Sequence, residues 1–72
     1  MVYQAPSVKK AFQILDLVAK RDNRLTISDL SRELGIGKST VHGITQALEG
    51  IGAIVRNGET RRYTLGMTLL EL

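Results

Sequence analysis

The side chains best suited to chemistry in this sequence lie between Gly35 and Gln46. The run Gly35-Ile36-Gly37-Lys38-Ser39-Thr40 ends like a loop that cradles a nucleotide phosphate. That pattern needs a glycine five residues before Gly37, where Arg32 stands, and a buried strand ahead of the loop, where the residue pattern gives a helix. Ser39 and His42 lie one helical turn apart and could be imagined as nucleophile and base, but no positioned carboxylate or oxyanion cradle accompanies them. His42 is the sole histidine and cysteine is absent, so the usual metal-ligand sets cannot be assembled. No enzyme activity, cofactor or metal is expected.

The same residues suit recognition rather than catalysis. On a helix from Lys38 to Glu49, Val41, Ile44 and Leu48 form an inward stripe, and Ser39, His42, Gly43 and Gln46 point the other way. Lys38 and Thr40 stand at the N-terminal rim. A glutamine can read adenine bidentately, hydroxyl and imidazole groups can bond base edges or phosphates, and a glycine allows close approach. The free amides of the helix N-terminus, reinforced by Lys38, favour a phosphate. A polar face that simply meets water is the plain alternative, and surrounding elements must decide.

The elements are readable from their punctuation. Ser7 can cap a first helix carrying Val8, Ala11, Phe12, Leu15, Val18 and Ala19 on one face, with Ile14 and Leu17 off it. After the polar connection Arg21-Asp22-Asn23-Arg24 and the short run Leu25-Thr26-Ile27, Ser28 and Asp29 open a second helix to Leu34, which buries Leu30 and Leu34. Gly35-Ile36-Gly37 then turns the chain, with Gly35 in the left-handed cap conformation, into the third helix. Two short helices joined by such a turn free the outer face of the second. Gly50 and Gly52 end that helix and lead to a strand around Ile51 to Val55. Asn57-Gly58 marks a hairpin that returns from Thr60 to Leu65, its turn either a two-residue type I′ loop or somewhat longer. Arg56, Arg61 and Arg62 on this hairpin make it a basic wing able to reach phosphates or the minor groove, although arginines also guard ordinary edge strands.

Composition agrees. With 72 residues, 43% hydrophobic and 24% charged, the chain is one globular domain of modest core, classed as α+β and mostly α: a small winged helix-turn-helix of three helices and a C-terminal hairpin. The net charge of +3 favours a polyanion. Lack of cysteine, of an export signal and of a long apolar run points to a reducing, cytoplasmic setting away from membranes. The expected function is sequence-specific binding of double-stranded DNA, with helix 38–49 in the major groove and wing 53–65 on the flanking backbone or minor groove. The candidate contacts are Lys38, Ser39, Thr40, His42, Gly43, Gln46, Arg56, Arg61 and Arg62. The rival is a winged-helix protein-docking module, which salt-indifferent binding would reveal.

The residues closely resemble the N-terminal domain of the IclR (isocitrate lyase regulator) family of transcriptional regulators over Ser7 to Leu72. The likeness rests on Ser7-Val8-Lys9-Lys10-Ala11-Phe12, Ile14-Leu15, Leu25-Thr26-Ile27-Ser28-Asp29-Leu30, Lys38-Ser39-Thr40-Val41-His42 and Tyr63-Thr64-Leu65-Gly66. The helix-turn-helix core alone would also fit MarR-like groups. Gly43 departs from the pattern, since the family usually places arginine directly after the histidine. The resemblance implies a core at about 7–65, a linker helix starting at 66–72, and a following effector domain of GAF-like fold that is absent here. It also implies a homodimer of the full-length protein on a palindromic operator and a small-molecule effector bound only through that missing domain. A dimerising head needs an apolar seam, for which Ile14, Leu17, Leu69, Leu70 and Leu72 are candidates; the alternative is that Ile14 caps the edge of the core and the tail is a frayed linker.

Overall fold

The computed structural model describes residues 5–21 and 24–70, with side chains as far as residue 68. Helix α1 spans Pro6–Arg21, α2 Ile27–Leu34 and α3 Lys38–Gly50; strands β1 Ile54–Arg56 and β2 Tyr63–Leu65 form the wing, and a short α4 covers Met67–Leu70. This is the expected winged helix-turn-helix. No helix among the described residues is long and apolar enough to cross a membrane.

Pro6 rather than Ser7 opens α1, a position where its fixed φ is pre-set and its missing N–H costs nothing. The phase of α1 differs from the sequence expectation. Ile14 is fully buried together with Val18, with Ala11, Leu15 and Leu17 packed against them, while Phe12 and Val8 remain 65% and 55% exposed. The core has taken Ala11, Ile14, Leu15 and Val18, an i, i+3, i+4, i+7 set, and Phe12 lies roughly 120° around the helix from its centre. Ile14 is therefore core and not seam. Leu17 is half-buried against that core, and the side chains of Leu69, Leu70 and Leu72 lie outside the described residues.

Helix α2 is held at both ends. Ser28 and Asp29 lie in its first turn as expected, and Thr26 is its N-cap: the Asp29 amide donates to Thr26 Oγ1 at 3.3 Å and the Thr26 amide donates to Asp29 Oδ2 at 3.0 Å, a reciprocal capping box. Gly35 closes the helix at φ 67°, ψ 30°, as its position required. The Ile36 amide reaches Ser31 O at 3.1 Å, and the Ser31 hydroxyl bonds Ile36 O, so the turn into α3 is fixed from the α2 side.

The core gathers Ile14, Val18, Leu25, Leu30, Val41, Leu48, Ala53, Ile54 and Tyr63 from every helix of the triad and both strands. Strands β1 and β2 pair antiparallel with Ile54 opposite Leu65, Val55 opposite Thr64 and Arg56 opposite Tyr63. A link the sequence did not reveal ties the wing to the helices: the Tyr63 amide donates to Leu25 O at 3.0 Å, making Leu25 a one-residue third strand. Gly66 closes the wing against the end of α3. Its amide donates to Ala53 O at 2.8 Å, and a Cβ there would fall 2.0 Å from Gly52 O, so only glycine fits.

Candidate nucleic-acid interface

The inner side of α3 buries Val41, Thr45 and Leu48, with Ile44 half-buried at its edge. Thr45 stands where Ile44 was expected, and its hydroxyl is satisfied by donating to His42 O at 3.0 Å. This inner anchor leaves Lys38, Ser39, Thr40, His42, Gly43 and Gln46 all exposed. Their common outward placement is the geometry a groove-reading helix needs. Gly43 has open space where a Cβ would lie, so nothing in the protein's own packing demands glycine.

The wing does not use the type I′ turn that Asn57-Gly58 suggested. Among the described residues positive φ occurs only at Gly35, Gly52 and Arg61, whereas a type I′ turn needs it at both central positions. Instead Asn57 Oδ1 accepts from the amides of Glu59 (2.9 Å) and Thr60 (3.1 Å), folding the loop around the asparagine side chain. The Arg61 amide then returns to Asn57 O at 2.8 Å, and the Asn57 amide donates to Arg62 O at 2.9 Å. The return strand accordingly starts at Tyr63 rather than Thr60. Arg61 adopts φ 62°, a left-handed placement that costs a non-glycine residue about 1–2 kcal/mol.

Two clefts lie between the wing and the helices. One cleft of about 180 Å³ is lined by His42, Gln46 and Glu49 of α3, by Arg56 and Tyr63 of the wing, and by Ile27 of α2. A second, of about 340 Å³, is lined by Thr26, Ile27 and Ser28 at the start of α2 and by Arg56, Thr60 and Arg61. Ile27 and Arg56 border both. Arg56 thus joins the exposed face of α3 to the wing loop, while Lys38, Ser39 and Thr40 at the α3 N-terminus and Arg62 on the wing border neither cleft.

Sequence reasoning overlooked Ser28, Glu49 and Thr60 as neighbours of this surface. The Thr26-x-x-Asp29 pattern did carry the signal of a capping box, and reading it would have set the start of α2 at Ile27. The bond from the Thr26 backbone amide, then that from its hydroxyl, holds the Asp29 carboxyl below its ordinary pKa, with Arg32 adding to the effect.

Comparison with known proteins agrees with this architecture. The IclR helix-turn-helix domain profile matches residues 7–58, well over half of the chain. The HTH-type transcriptional regulator XynR of Escherichia coli (strain K12) is 43% identical over 65 residues, which are 90% of this chain and 26% of that protein. The glycerol operon regulatory protein of Streptomyces coelicolor is 36% identical over 72 residues, all of this chain and 28% of that protein. Among solved structures, the IclR transcriptional regulator from Alicyclobacillus acidocaldarius superposes with a TM-score of 0.88 at 30% identity, covering 96% of this chain and 28% of that one. The chain therefore spans little more than a quarter of the length of these relatives. From its sequence and its fold alike, it belongs to the IclR family of transcriptional regulators, whose helix-turn-helix DNA-binding domain it carries.

Proposed function

We propose that this domain binds its operator with α3 in the major groove and the wing on the flanking backbone or minor groove. Gln46, His42, Ser39 and Thr40 face the base edges and nearby phosphates, Gly43 permits close approach, and Lys38, Arg56, Arg61 and Arg62 neutralise phosphates. The observation that carries the reading is the outward exposure of the α3 face next to a cleft it shares with Arg56.

In this reading residues 1–72 are the head of a longer cytoplasmic regulator, with a core at about 7–65 and a linker helix beginning at 66–72. A small-molecule effector binds a domain beyond that linker, and two copies act together on a palindrome. Relatives several times longer than this chain support the arrangement.

Selection of binding sites from random duplexes tests the base-reading assignment. Gln46→Ala is expected to change the selected sequence, whereas Arg62→Ala weakens binding to all duplexes alike. Unchanged affinity and unchanged preference in Gln46→Ala would remove Gln46 from the base contacts.

A further inference from the structure

The cleft between the start of α2 and the wing loop brings Arg56 and Arg61 beside the hydroxyl-bearing residues of two elements. Among the described residues the ion pairs are Lys20–Asp16, Arg21–Glu33 and Arg32–Asp29, and none uses Arg56 or Arg61. No carboxylate lines this cleft; its rim offers two guanidinium groups and the hydroxyls of Thr26, Ser28 and Thr60. A larger depression beside it holds Lys20, Arg21, Arg24 and Arg32, but Asp29 and Glu33 share it and are paired there. Carboxylates thus accompany the cations on one side of α2, and the other side is free of them.

The free side is continuous with the recognition surface through Ile27 and Arg56. Arg61 lines it from a left-handed position at the end of the Asn57-centred loop. Guanidinium groups with hydroxyl donors beside them match the oxygens of a single phosphodiester.

We infer that this cleft is a phosphate clamp for duplex DNA, seating one backbone phosphate just outside the base pairs that α3 reads. Arg61 and Arg56 supply charge, and Ser28 and Thr60 supply hydroxyl donors from two different elements. Because α2 and the wing grip the same phosphate, the clamp fixes the angle at which α3 enters the groove. The inference rests on the reading that α3 binds DNA and adds to it the residues Ser28 and Thr60 and a defined phosphate.

The test uses the 72-residue chain and a duplex it selects, with a neutral methylphosphonate placed at one backbone position at a time. For the wild-type chain a position flanking the α3-dependent bases is expected to show an affinity loss. In Arg61→Asn, which keeps a residue tolerant of left-handed φ, and in Ser28→Glu, which puts a carboxylate in the cleft while suiting the first turn of a helix, that loss disappears and losses elsewhere persist. Each variant also lowers the log–log salt slope by about 0.9, the value for one phosphate. Persistence of the same flanking loss in both variants, with sequence preference intact, overturns the clamp and leaves the α3 reading standing. Failure of the wild-type chain to select any duplex overturns both.

Discussion

At the scale of single residues, two glycines that look alike in the sequence have opposite meanings. Gly43 is exposed on α3 with open space at its Cβ position, so it serves nothing inside the fold and weakens the helix. Gly66 lies where a Cβ would collide with the backbone oxygen of Gly52, an atom that cannot swing aside. Gly43→Ala is therefore expected to raise stability by up to about 1 kcal/mol, seen as a rise in thermal midpoint of roughly 4–8 °C for a domain of this size. Gly66→Ala is expected to lower stability by about 1–3 kcal/mol, as overpacking does. Calorimetry on both variants decides the point, and equal effects of the same sign would remove the distinction. If close approach of α3 to DNA is what Gly43 provides, its alanine variant binds more weakly while melting higher, a combination that a purely structural role does not produce.

At the scale of elements, the termini of α2 show how local chemistry sets a boundary and a pH response. The amide and hydroxyl bonds from Thr26 favour the ionised form of Asp29 in the folded chain, so its native pKa lies below the unfolded one. A depressed carboxylate stabilises the fold above the unfolded value, roughly 3.9 for aspartate. That contribution is lost as pH falls through the native value. Asp29→Asn keeps an oxygen to accept the Thr26 amide but no charge. Urea titrations should show the variant less stable than wild type at neutral pH, the two converging in strong acid; a constant gap at all pH values would exclude Asp29 as a source of the acid response. What was legible in the sequence follows the same local logic. The Gly35 turn and the outward face of α3 could be read because a left-handed cap and a helical repeat are set by neighbours. The phase of α1 could not, because its apolar residues form two overlapping stripes and only contact with α2, α3 and the wing selects the one through Ile14. The wing loop stayed open between a tight turn and a longer one for a different reason: Asn57 satisfies two amides with its side chain, which competes with the tight backbone turn that Asn-Gly usually signals. The nine-residue candidate site is made of exposed residues because exposure follows from periodicity, but the clefts joining α3, α2 and the wing assemble residues from distant segments, which periodicity cannot place.

At the scale of the whole molecule, charge and dimensions constrain how DNA is engaged. The domain measures about 44 × 30 × 20 Å, so one copy covers close to one turn of duplex on one face, and two copies acting together on a palindrome, as proposed above, would sit about a turn apart, roughly 34–36 Å between half-site centres. The selected site is accordingly expected to be a palindrome with that spacing. Lys38, Arg56, Arg61 and Arg62 are exposed and outside the ion pairs found among the described residues. If Lys38 and Arg62 each neutralise one phosphate and Arg56 and Arg61 share a third, the slope of log affinity against log salt is about −2.7 per domain, and twice that for a pair acting together on a full palindrome. Fluorescence anisotropy with half-site and full-site duplexes across a salt series separates the cases. A full-site slope double the half-site slope shows two domains making equivalent backbone contacts; a slope near zero on either duplex would mean that binding does not release counterions, and the major-groove reading of α3 would have to give way to an apolar docking surface such as the one bearing Val8 and Phe12 on α1.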